Sequence, residues 1–272
     1  AGTAYIDDFE ATTTNIDVHY PSNWFLASTP YNPDSKKKFN NEDAKLLNDA
    51  GYNRHRAHFA WYSVDPIFGY PQTNTPDHIR NDLVALSDHR TRIVYQDEIY
   101  PNRQEASNVD TKLPILNLAY YPEERGQYNI DANEIGPDGK MKNPKDNWGG
   151  MMRRLENTDF EKANIEYIPF WLMDPKLTNP DHPDDYNGEL YINLGDMSED
   201  ILRDGKKSFE HGMPVSDADG GRVESTFWGI VPRTTSSVTA FSNESGSREK
   251  QDVGLNGLND LQEHTFGAYK TF

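Results

Sequence analysis

The chain of 272 residues contains no cysteine. That absence excludes a disulfide framework, a thiol nucleophile and a thiolate zinc site. Long apolar runs are also missing: no stretch approaches the roughly 20 residues a membrane-spanning helix needs. The opening AGTAYIDDFE has neither the basic nor the apolar region of a signal peptide, so the chain reads as a soluble piece, mature or excised. Basic residues are scarce beside acidic ones, 27 against 44, for a formal charge of -17. Such a surplus repels phosphate backbones and anionic membrane surfaces, which argues against nucleic-acid binding. Nor is there a His-Glu-x-x-His run, a Gly-x-Ser-x-Gly elbow or a phosphate-cradling glycine loop, so motif-bearing enzymes are set aside.

What is present is aromatic: 12% of residues are Phe, Trp or Tyr, each supplying a large unit of buried area. The chain is organised around two apolar runs, 164–173 and 189–194, flanking a loop rich in Pro, Asp and Asn. In the second run Leu190, Ile192 and Leu194 alternate with Glu189, Tyr191 and Asn193, the period of a half-buried antiparallel strand. In the first run both alternating sets are apolar, as expected of a strand covered on both faces. Pro169 predicts a local break in pairing there. Further strands are expected at 5–9, from Ile16 to Leu26, at 56–64, 92–95, 113–121, 148–155, 223–231 and 237–241. Helices are expected at 41–50, stopped by Gly51, at 79–86, and from a capping box at Asp196 and Glu199, with Ile201, Leu202 and Phe209 on one face. A turn is expected at 217–221.

These elements predict a mainly β fold: an antiparallel, jelly-roll-like β-sandwich with a few short helices and long loops. It would span residues 1–241, with insertions at about 31–55 and 122–147, and a polar tail or linker would follow at 242–272.

Several phrases, in order along almost the whole chain, carry a resemblance: AYIDDFE at 4–10, NWFLASTP at 23–30, LNLAYYPEERGQYN at 116–129, NIEYIPFWLMDP at 164–175, ELYINLGDMSEDILRDGKKSFEHGMP at 189–214, and QDVGLNGLND at 251–260. Together they resemble the gliding-motility SprA (Sov) family, the outer-membrane translocon of the type IX secretion system. Members of that family form a very large single-chain outer-membrane β-barrel with soluble insertions. The resemblance implies that this chain is one extramembrane segment, at the cell surface or on the periplasmic face. Its expected partners are the rest of the parent translocon chain and associated secretion subunits. The barrel itself would need repeated strands of lipid-facing alternation with aromatic girdles, and no such series is found. The DDFE opening and the EYIPFW strand are also similar to jelly-roll carbohydrate-binding modules, although Ala11 stands where such openings carry glycine.

Three chemistries are weighed against these readings. A glycan-binding module would need an exposed stacking ring, and Trp148, between Asn147 and Gly149, is the candidate. Trp171 and Trp228 lie in apolar strands and are expected in the core. A glycoside hydrolase needs two carboxylates roughly 5 to 10 Å apart, a condition that 44 acids meet by chance. His55 and His58 would point to opposite faces of a strand, which disfavours a metal pair. A calcium loop is the remaining candidate: counting from Asp252, the ligands would be Asp252, Asn256, the Leu258 carbonyl, Asp260 and Glu263, with Gly257 at the sharp turn and Gly254 lacking an oxygen at the third position.

Overall fold

The computed structural model describes residues 16–31, 42–69, 72–88, 90–102, 111–156, 158–162, 165, 167–173, 188–207, 213–215, 223–233 and 240–270. The strands expected at 5–9 and 237–241 and the turn at 217–221 lie wholly or mostly outside these residues. In chain order the elements are β1 (Phe25–Leu26), β2 (Ala57–Tyr62), α1 (Asp77–Arg80), α2 (Leu83–Ser87), β3 (Val94–Tyr95), α3 (Gln96–Ile99), β4 (Lys112–Leu113), β5 (Asn117–Arg125), β6 (Met151–Met152), β7 (Val223–Ser225), β8 (Ile230–Pro232), α4 (Ser247–Gln251) and α5 (Asp260–Glu263), joined by short 3-10 turns. Among the described residues the strands pair two by two, β1 with β6, β2 with β5, β3 with β4, and β7 with β8. Among the described residues helical positions, at 20%, slightly exceed strand positions, at 17%, so the described architecture is mixed rather than mainly β. The chain divides into two compact units, one of Ala1–Trp24, Trp61–Leu118 and Arg153–Leu194, the other of Phe25–Ala60, Ala119–Met152 and Gly195–Phe272.

The second unit holds the hydrophobic core, in which Tyr52, Ile130, Leu202 and Trp228 meet. Trp228 is 1% exposed, and its indole N–H donates to the Arg203 carbonyl at 3.3 Å, so the ring is buried with its polar atom satisfied. The single strand expected at 223–231 is a hairpin. Thr226 N–H closes its turn on the Gly229 carbonyl at 2.8 Å, and β7 and β8 pair antiparallel with Glu224 opposite Val231.

Over the described residues 196–207 the helix expected after Asp196 does not form; Phe209, expected on its apolar face, lies outside the described residues. The Asp200 carboxylate accepts from the amides of Asp204 and Gly205, a side-chain capture of backbone donors that competes with helix propagation. Gly205 then takes a left-handed φ of 79°. Ile201 and Leu202 are buried all the same, so their apolar face reaches the core without a helix. The helix expected at 41–50 is likewise replaced by two 3-10 turns, Glu42–Lys45 and Ala50–Asn53.

Residues 242–270 are no free tail. The Gln251 side chain accepts from Ser242 N–H and donates to the Met213 carbonyl, both at 2.7 Å. Val253 and Leu258 are buried, and the Tyr269 hydroxyl donates to the Trp228 carbonyl at 2.6 Å. Composition misled here because these polar side chains act as clips on backbone groups, which makes their burial tolerable. Ile230 N–H donates to the Asn256 carbonyl. A Cβ on Gly257 would stand 2.0 Å from the Ile230 carbonyl oxygen, so only glycine fits that crossing.

The insertion at 122–147 is ordered by its own contacts. Strand β5 continues through Pro122, whose carbonyl accepts from the buried Asn147 amide at 2.7 Å. Ile135 and Met141 form an antiparallel bridge.

The first unit is built differently. Strands β3 and β4 pair Val94 with Leu113, and the Glu98 carboxylate caps α3 by accepting from Tyr95 N–H. Asp82 caps α2 through Ala85 N–H, and the Arg80 guanidinium donates to the carbonyls of Thr73 and Thr75. Among the described residues Val94 is the one apolar side chain this unit buries fully. Polar clips tie its described residues together.

Candidate functional site

Both organising runs lie in this first unit, and both depart from expectation. Of the run 164–173, residue 165 and residues 167–173 are described, and they belong to no strand; Ile165 N–H donates to the Phe160 carbonyl at 2.9 Å. Trp171, expected in the core, is 70% exposed and touches Tyr100 edge-on at 6.2 Å between ring centroids. In the second run Leu190, Ile192 and Leu194 are 59%, 54% and 50% exposed and likewise unpaired. The alternation is there, but among the described residues no second layer covers it. Residues 167–173 make no backbone hydrogen bond among the described residues, nor do Leu190, Ile192, Asn193 and Leu194. Exposed apolar area on this scale, over backbone that forms no strand, is the kind of surface that favours contact with a second layer.

Trp148 is a correction of the opposite sign. It is 7% exposed, and the Arg56 guanidinium lies 4.5 Å over its ring, on the face a sugar would use. The polar neighbours that suggested exposure are themselves employed, Asn147 on Pro122 and Gly149 close against the Phe59 side chain. Arg56 is fully buried. Its Nε donates to Asn53 Oδ1 at 3.0 Å and its Nη1 to the Ala27 carbonyl at 2.8 Å. Its Nη2 and the Trp148 indole N–H have no protein partner. With no carboxylate beside it, burial lowers the Arg56 pKa to about 10.

Asp43, Arg54 and His55 form a second polar group in the core-bearing unit. The buried Asp43 carboxylate receives the His55 Nδ1 at 2.6 Å and pairs with the Arg54 guanidinium. Burial alone would raise the Asp43 pKa, but hydrogen bonds from His55 and Arg54 together hold it below the usual value. The same bond, donated to Asp43, holds His55 above its usual value. His58 instead lies 5.4 Å from the Tyr121 ring, so the two histidines do not converge on one partner.

Of the candidate calcium ligands, the fold brings Asn256 and Glu263 together: the buried Asn256 amide donates to Glu263 Oε1 at 2.6 Å. The Leu258 carbonyl accepts from Gly254 N–H at 3.0 Å and Asn256 Oδ1 from Leu258 N–H. Asp260 opens α5, whose N-cap is Asn259. Asn256 Oδ1, the Leu258 carbonyl and Glu263 Oε1 are thus engaged in a hydrogen-bonded turn, while Asp252 ends α4 with its N–H on the Arg248 carbonyl. Among the described residues no three His, Asp or Glu side chains are grouped to hold a metal ion.

No family model matches the chain, and no curated protein matches it. Among the described residues no helix is long and apolar enough to cross a membrane. The site that remains is the pair of exposed runs, whose residues sequence reading found but assigned to the interior. Arg56 and Asp43 were missed altogether, and the one signal for them is weak: charged residues at 54–56 immediately before an aromatic strand.

Proposed function

We propose that this chain is a non-catalytic segment of a large outer-membrane protein-secretion translocon of the type IX, gliding-motility kind. Its task there is to offer structural and partner-contact surface on the periplasmic or extracellular side of the membrane. The observation that carries the contact role is the exposure of the runs 167–173 and 190–194 in a unit that, among its described residues, buries one apolar side chain. A surface of this kind is stable only when something covers it. In the assembled protein the runs take strand partners, and the antiparallel sandwich expected from the sequence is completed by the rest of the translocon. The translocon itself enters through the phrase-level resemblance. The glycan-binding alternative loses its stacking ring with Trp148 buried.

The test is made in the parent protein. Trp171→Ser combined with Ile192→Ser is expected to reduce cargo secretion while the parent chain stays at wild-type abundance in the outer membrane. Wild-type secretion by that variant at normal abundance refutes the contact role. Should abundance fall, the single variants, each changing one exposed side chain, are assayed at matched abundance.

A further inference from the structure

Three buried N–H donors gather at one guanidinium in the core-bearing unit. Arg56, Asn53 and Trp148 all belong to that unit and are each more than nine-tenths buried. Among the described residues Arg56 Nη2, Asn53 Nδ2 and the Trp148 indole N–H have no hydrogen-bond acceptor. The groups that carry them touch. Arg56 Nε donates to Asn53 Oδ1 at 3.0 Å, and the guanidinium carbon lies 4.5 Å from the centre of the Trp148 ring. The main chain holds all three in place: Arg56 N–H donates to the Asn53 carbonyl at 2.9 Å, Ala57 N–H to the Trp148 carbonyl at 2.8 Å, and Trp148 N–H to the His55 carbonyl at 2.9 Å.

Burying N–H groups without acceptors is unfavourable, the more so when one of them is charged. Among the described residues no carboxylate pairs with Arg56, and its burial lowers its pKa to about 10. A water molecule could accept from two of the donors, but its own two protons would then need acceptors, and it brings no charge. A halide needs no acceptor, takes all three donors and neutralises the guanidinium. Packing also favours a small sphere over a tetrahedral oxyanion. A Cβ on Gly150 would already stand 3.4 Å from Ala27 Cβ and 3.5 Å from the Trp148 ring.

We propose that Arg56 Nη2, Asn53 Nδ2 and the Trp148 indole N–H bind a chloride-sized monovalent anion inside the core-bearing unit. The site is independent of the contact-surface reading above. Its role is to complete the buried charge, so occupancy is coupled to folding of the unit.

The experiment uses the purified chain, with sodium chloride and sodium acetate as probes at equal ionic strength. Urea unfolding is read by hydrogen exchange in peptides of the core-bearing unit. The acid surplus of the chain repels anions, which sets the dissociation constant on the order of 50 mM; about 0.5 M chloride then multiplies the folded-to-unfolded ratio by about 10 over acetate. Asn53→Asp, which supplies a counter-charge and keeps the acceptor for Arg56 Nε, should lose this chloride response. Trp148→Phe, which keeps a ring and removes the indole N–H, should weaken it. Crystals grown in sodium bromide should show an anomalous peak within bonding distance of the three nitrogens. The proposal is overturned if chloride stabilises the wild type no more than acetate does, or if Asn53→Asp responds as fully as wild type. Should a variant fail to fold, the wild-type bromide map decides by itself: density there without an anomalous peak assigns water to the donors and overturns the proposal.

Discussion

Replacing Arg56 by methionine keeps most of the side-chain volume and removes the buried charge, so it isolates the electrostatic part of this residue's role. Against the native residue stands desolvation. Its pKa falls from the ordinary 12.5 to about 10, a penalty of about 3 kcal/mol on the charged form in the folded state. In its favour stand two hydrogen bonds from a charged donor, to Asn53 and to the Ala27 carbonyl, at about 1.5 to 3 kcal/mol each. A desolvated stack on Trp148 adds about 2 kcal/mol. The favourable contributions exceed the penalty, and Arg56→Met is expected to destabilise the core-bearing unit by about 2 to 5 kcal/mol. Urea titration read by hydrogen exchange in peptides around 200–204 and 226–231 reports that unit by itself, which matters because a chain of two units need not unfold in one step. A double-mutant cycle with Trp148→Leu should return a coupling of about 2 kcal/mol. Unchanged or increased stability in Arg56→Met would refute the reasoning, because the buried cation would then be a net liability whatever its contacts.

Three further expectations follow from the same structure. Trp228→Ala should cost about 3 to 5 kcal/mol, whereas Trp171→Ala, at an exposed ring, should change stability by under about 1 kcal/mol; denaturant melts of the two variants decide between core and surface. Gly257→Ala must displace the Ile230 carbonyl as well as strain a φ of 70°, while Gly205→Ala meets open space at a φ of 79°. The first should therefore lose clearly more than the second, for which the backbone alone costs about 1 to 2 kcal/mol. For the Asp43–His55 pair the two limbs have opposite signs. Asp43, held below its usual 3.8, contributes stability that is full above that value and is lost as pH falls through its folded pKa. His55, held above its usual 6.5, contributes stability that is full below that value and is lost as pH rises through its folded pKa. Urea midpoints for the core-bearing unit should peak between these limits, and Asp43→Asn should flatten both limbs; a pH profile identical to wild type would show the pair to be uncoupled from folding.

The sequence by itself determined local matters. The strand at 57–62, the short β3 at 94–95, the turn after Asp65 and the burial of Trp228 were all legible, because each depends on alternation, on a proline or on a local apolar run. The capping pattern at Asp196 and Glu199 was equally legible and wrong, since whether Asp200 captures the amides of Asp204 and Gly205 depends on Leu202 reaching a core that the local pattern does not describe. Tertiary structure alone decided which apolar side chains are covered. Trp148 is buried because Arg56, 92 positions earlier, stacks on it. The 242–270 stretch packs because the Gln251 and Tyr269 side chains find backbone partners across the unit and the Asn256 carbonyl accepts from Ile230 N–H. The runs at 167–173 and 190–194 stay exposed because burial is a property of two surfaces, and a strand pattern specifies only one of them.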